Sequence, residues 1–127
     1  MGLTTSGAQQ LMGLGVGEAL TSFATASANQ GVGGGAGATT AFAIAQTDLQ
    51  GASKTRKAVT SSTRSGSVIT SVATYAAADA VYTWDEFALF NAAAAGVMLH
   101  RGVSAGFFVK NGSTTATLTV TLTLTAA

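Results

Sequence analysis

The sequence predicts a mainly β protein: an antiparallel β-sandwich with a short N-terminal helix or arm. Two observations carry this. From Ala116 to Ala127 the chain alternates, with Leu118, Val120, Leu122 and Leu124 on one side and Thr117, Thr119, Thr121, Thr123 and Thr125 on the other. Successive strand side chains point to opposite faces, so this is a strand with one apolar and one hydroxyl face. Upstream, short runs rich in β-branched and aromatic residues recur between turn signals, the pattern of stacked antiparallel sheets. The length of 127 residues sets one domain, 1–127, with 1–20 as a helical arm.

The elements follow in order. Thr4, Thr5 or Ser6 caps a weak helix from about 5 to 13. It loosens beyond that, because Gly13, Gly15 and Gly17 each cost about 1 kcal/mol relative to alanine. Residues 22–32 read as a strand ending in glycine. Gly31 to Gly37 reads as a flexible loop, since glycine supplies backbone freedom. Phe42 and Ile44 centre a short apolar patch, and Gln46 to Leu49 a polar or helical turn. Residues 54–64 form one extended basic stretch that ends at the Ser65-Gly66 turn.

Val68 to Tyr75 is the next strand, and Ala76 to Asp79 a turn. Val81 to Asn91 holds the aromatic centre. Its alternation places Tyr82, Trp84 and Glu86 on one face and Asp85, Phe87 and Leu89 on the other, with a bulge near Phe90. Asn91 to Gly96 turns the chain into a strand from Val97 to Val103. Phe107 to Lys110 then leads into Asn111-Gly112, a hairpin signal before the threonine strand. The expected core is Trp84, Phe87, Leu89, Phe90, Leu118, Val120, Leu122 and Leu124.

Composition narrows the function. Charged residues are 9 % of the chain, against about 25 % in typical soluble domains. A surface so poor in charge fits one covered by assembly. Net charge is +1, which offers no bulk attraction for polyanions. There is no cysteine, so disulfides and thiolate metal sites are excluded. No apolar run approaches the ~20 residues that span a bilayer, and the first residues lack the basic and apolar regions of a signal peptide. Neither nucleic acid nor membrane is an expected partner.

The candidate chemistry is thin. His100 stands alone as a histidine, without a nucleophile elbow or metal-ligand spacing, and reads as a polar tip at a strand end or subunit contact. Asp85 and Glu86 are adjacent, so in a strand they diverge and cannot form a glycosidase pair. One faces water and the other pairs with a base, Arg101 or Arg56. The glycine run lacks the helix start and spaced acid of a dinucleotide fingerprint. Lys54, Arg56, Lys57 and Arg64, four of the six basic residues, lie within eleven positions without interleaved aromatics. They read as a subunit contact with an acidic neighbour. No catalytic, cofactor or metal residue is assigned, and no enzyme is expected.

Three stretches carry a resemblance. They are G-V-G-G-G from Gly31 through T-A-F-A-I-A-Q-T-D-L-Q-G to K-T-R-K-A; S-V-I-T-S-V-A-T-Y-A-A-A-D-A-V-Y-T-W-D-E-F-A-L-F-N-A from Ser67; and G-V-M-L-H-R from Gly96, followed by the threonine strand. Together they resemble small virion structural proteins of tailed bacteriophages. They are also distantly similar to the N-terminal domain of phage tail-collar fibre proteins. The segment from Arg101 to Asn111 matches no part of that pattern. The resemblance implies a capsid decoration (cement) protein on the head surface, bound to the major capsid protein as a homotrimer. A tail, connector, baseplate or fibre-attachment component is the alternative, and a small carbohydrate-binding module using Tyr75, Tyr82 and Trp84 the third. A short chain without a fibre shaft favours the first.

Overall fold

The computed structural model describes residues 2–3, 24 and 27–123. Two antiparallel sheets face each other. The first has the order β1-β7-β6-β2-β3, and the second β4-β5-β8. The strands are β1 Gly2–Leu3, β2 Asn29–Gly34, β3 Ser53–Ala58, β4 Ser61–Ser65, β5 Val68–Tyr75, β6 Thr83–Phe90, β7 Met98–Val109 and β8 Ala116–Thr123. The mainly β sandwich architecture is as the alternation predicts. The helix expected over 5–13 and the core position of Leu124 lie outside the described residues.

The interior between the sheets is built from both layers. Ile69 and Val120 of the small sheet meet Leu89 and Leu99 of the large one, with Ala24 against them. Beside them Val32, Ala73, Tyr75, Trp84 and Ala116 form a second cluster. Trp84 anchors it, with Tyr75 edge-on at 5.0 Å and its indole N–H donating to the Ala80 carbonyl at 2.9 Å. Of the other expected core residues, Leu89, Phe90 and Val120 are buried, whereas Phe87, Leu118 and Leu122 are half-buried at its margin.

The glycine run corrects the sequence reading. Instead of a strand over 22–32 and a loop from Gly31, Ala24 is helical and β2 runs through Gly31, Val32, Gly33 and Gly34, buried throughout. It is a central strand, paired with β3 on one side and β6 on the other. Glycine is needed here for close approach. A Cβ on Gly31 would meet the Phe90 ring at 2.8 Å, and one on Gly33 would collide with the Glu86 carboxylate. The expected turn begins only at Gly35, where φ becomes positive.

Three further expectations change. The basic stretch 54–64 is two strands in different sheets, because the chain crosses layers at Val59 and Thr60. The faces of β6 are reassigned by a bulge at Asp85. The bulge places Trp84 inward with Phe87 and Leu89 and sends Glu86 outward with Ala88 and Phe90. Opposite Asp85, β7 carries residues 104–107 between its pairing residues Val103 and Phe108, and the Gly106 N–H there donates to the Asp85 carboxylate at 2.7 Å. Finally, Asn111-Gly112 is no hairpin. β7 pairs with β6, and β8 with β5, so this turn carries the chain between sheets. The Asn111 side-chain oxygen accepts from the Ser113 N–H and hydroxyl and from the Thr114 hydroxyl, which shapes the turn. Buried Lys110 fastens it by donating to the carbonyls of Ala76, Ala77 and Asn111.

His100 is a core residue, 2 % exposed and stacked on Phe87 at 6.2 Å. This corrects its reading as a polar tip. Its Nδ1 has no hydrogen-bond partner among the described residues. Burial away from water disfavours the charged form and holds its pKa down at about 4, from 6.5. The unfolded chain therefore takes up a proton near pH 6.5 that the folded chain refuses until about 4. Stability is full above pH 6.5 and falls as pH drops through that window, by about 3 kcal/mol in all. Urea unfolding from pH 7.5 to 4 is expected to show this slope, and His100→Leu to flatten it. The lowered carboxyls of Asp48 and Asp79 act only below their unfolded value of 3.8.

Candidate functional site

The outer face of the large sheet is covered by the connection between β2 and β3. Leu49 from this segment packs on Ala88, Phe90 and Met98. Beneath it lies a fully buried ion pair. The Arg101 Nη2 is 2.6 Å from Glu86 Oε2, and its Nε donates to the same oxygen at 2.8 Å, with both side chains fully buried. Of the two bases weighed from sequence, Arg101 is the partner. The rest of the guanidinium donates to the carbonyls of Thr40 and Ala38 and to Gln46 Oε1. The carboxylate accepts from the N–H groups of Gln50 at 3.0 Å and Gly51 at 2.7 Å. Five of these contacts reach the covering segment, so the pair rivets it to the sheet. Glu86 is sealed and fully engaged, which suits a structural role and not proton transfer to a substrate.

The basic residues do not form one patch. Lys54 and Arg56 lie on the outer face, and both reach Asp48. Arg56 also sits 3.5 Å over the Phe90 ring and donates to the carbonyls of Ala92 and Ala95. Burial alone would raise the Asp48 carboxyl, but the Arg56 hydrogen bond, the Leu49 N–H and Lys54 together hold it below its ordinary value. Lys57 pairs with Asp79 at 2.9 Å, and this hydrogen bond lowers the Asp79 carboxyl. Arg64, in the other sheet, donates to the Gly66 carbonyl. These four residues are engaged within the chain.

Among the described residues, an apolar side of the sandwich is open between β7 and β8. A groove of about 330 Å3 runs between β7 and β8, lined by Trp84, Phe107, Phe108 and Thr115 to Leu118. Phe108 is 39 % and Val109 69 % exposed. β8 is the last strand of its sheet, and among the described residues nothing pairs with its outer edge. The threonine strand is legible from its alternation, but the aromatic wall beside it is not. Phe107 and Phe108 fall in the segment the family pattern leaves unmatched. The pairing of Trp84 with Phe108 across the sheet puts them beside β8.

Among the described residues no three His, Cys, Asp or Glu side chains gather where they could hold a metal ion, and no helix is long and apolar enough to cross a membrane. Comparisons with protein families, characterised proteins and solved structures found no match.

Removing one member of a buried ion pair strands the other without water, at a cost of about 3–5 kcal/mol. Glu86→Gln is expected to lower unfolding free energy by that amount in urea titration. Glu86→Leu combined with Arg101→Leu should lose less than the two single changes summed. Single changes within about 0.5 kcal/mol of wild type would contradict the rivet.

Proposed function

We propose that this protein is a structural subunit of a tailed-bacteriophage particle, working by adhesion and not by turnover. The lead reading is a decoration protein on the head surface that bridges neighbours of the major capsid protein. The observation that carries the adhesive part is the uncharged β8 edge beside an apolar groove. Such edges in isolated proteins are blunted by charge, proline or bulges, and β8 has none of these. A surface of this kind is stable when another chain covers it. The virion part rests on the sequence resemblance and the low charge content.

In this reading many copies bind the shell, and each buries apolar area worth about 25 cal/mol per Å2. Multiplicity makes weak single contacts effective. The homotrimer expected from sequence would suit the three-fold points of a capsid lattice, and a two-fold dimer its two-fold points. A tail, connector or fibre-attachment location is the second reading, since the same surface serves a partner at either place. The carbohydrate-binding reading needs an exposed aromatic platform. Tyr75 and Trp84 are buried and Tyr82 is half-buried, with its hydroxyl donating to Val32 O and hydrogen-bonded to the Thr55 hydroxyl.

Quantitative mass spectrometry of purified virions tests this. Copies numbering in the hundreds per particle support the head surface, and about a dozen or fewer the tail. Absence from the particles overturns the proposal.

A further inference from the structure

We propose that two copies of this chain join through β8, edge to edge and antiparallel, about a two-fold axis at Val120. Among the described residues, alternate backbone groups of β8 are left without a strand partner. On β5, the Val72 carbonyl accepts from the N–H and hydroxyl of Thr60, at 2.8 and 3.0 Å, so Val72 faces β4. In an antiparallel ladder alternate residues face alternate neighbours. Ser71 and Ala73 therefore face β8, where their partners are Val120 and Leu118. Gln30 Nε2 confirms the parity, since it reaches the carbonyls of both Ser71 and Leu118 in that seam. Leu118, Val120 and Leu122 thus spend their N–H and C=O groups on β5. Those of Thr117, Thr119, Thr121 and Thr123 point to the open edge.

The sequence of that edge is symmetric. Residues 117–123 read T-L-T-V-T-L-T, a palindrome about Val120. An antiparallel copy centred there sets Val120 opposite Val120 of the second copy as a pair without hydrogen bonds. Thr119 falls opposite Thr121, and Thr117 opposite Thr123. These are the residues with available N–H and C=O groups, and each such pair exchanges two hydrogen bonds. Parity and register agree, and eight hydrogen bonds follow. The same register sets Leu118 opposite Leu122. Both face inward and are half-buried in one copy, and a neighbouring strand covers them.

The self-complementary, uncharged sequence of the edge selects a second copy as the occupant. β8 has no charged residue, so its two-fold mate brings no like charges together, whereas β3 and β4 at the opposite edges carry Lys54, Arg56, Lys57 and Arg64. Threonine opposite threonine is a favourable cross-strand pair. The two three-stranded sheets become one continuous six-stranded sheet. The contact is two-fold and closed, so a trimer cannot be built from it alone. It does not depend on the virion reading, because it is tested on the purified chain and that reading on particles.

Light scattering coupled to size exclusion is expected to give twice the 12.5 kDa chain mass. In the dimer, the amides of Thr117, Thr119, Thr121 and Thr123 should exchange at least about ten-fold more slowly than after dilution to monomer. Those of Leu118, Val120 and Leu122 should stay protected in both states. The register is tested by two double variants at exposed positions. Thr119→Lys with Thr121→Lys places lysine opposite lysine and should be monomeric. Thr119→Lys with Thr121→Glu places lysine opposite glutamate twice and should remain dimeric. A monomeric or trimeric wild type overturns the proposal. So do two double variants that behave alike, or threonine amides that exchange at the same rate before and after dilution. The amide measurement uses wild type and stands even if a variant fails to fold.

Discussion

One buried ion pair organises the outer half of this molecule. Glu86 and Arg101 lie on adjacent strands of the large sheet, out of contact with water, and each spends its remaining hydrogen-bonding capacity on the segment between β2 and β3. Burying two charges is costly, and it is tolerated only where geometry and added hydrogen bonds offset the loss of water. Several features of the sequence serve that geometry. The bulge at Asp85 turns Glu86 to the outer face. Gly33 leaves space for its carboxylate, and Gly31 leaves space for Phe90 beside it. Leu49 then closes an apolar lid over the site. A side chain at Gly33 would displace the carboxylate that receives the Gln50 and Gly51 amides.

The result is an asymmetric sandwich. One face of the large sheet is sealed by a riveted segment, and the basic strand β3 has its cations paired within the chain. The opposite side, between β7 and β8, presents backbone groups and aromatic side chains. Among the described residues, most charges are engaged in contacts within the chain. The proposed adhesive role and the proposed β8 contact both draw on this division of labour between a rigid sealed side and an open one.

Much of the fold was legible because period-two alternation survives in the small sheet. Val68 to Tyr75 and the threonine strand form the small sheet, and Asn91 to Gly96 turns where expected. The glycine strand was illegible for a physical reason. Glycine weakens a strand locally, and here the compensation comes from Glu86 and Phe90, more than fifty residues away. Asn111-Gly112 signals a turn but not the sheet the chain then joins. The bulge at Asp85 has no local mark, so the face of Glu86 was misassigned although its pairing with Arg101 was among the two options weighed. His100 looked like a surface polar group because nothing in V-M-L-H-R states that it is buried against Phe87 of the neighbouring strand. In the candidate site, the threonine edge was visible from sequence, and the aromatic wall beside it was not.

Native-state hydrogen exchange of the Gln50 and Gly51 amides tests the central claim most directly. If the ion pair fastens the covering segment to the sheet, both amides exchange only through global unfolding, with the same free energy and denaturant dependence as the Val32 amide in the core strand. Exchange of Gln50 and Gly51 through a low-energy local opening, while Val32 stays protected, would contradict it.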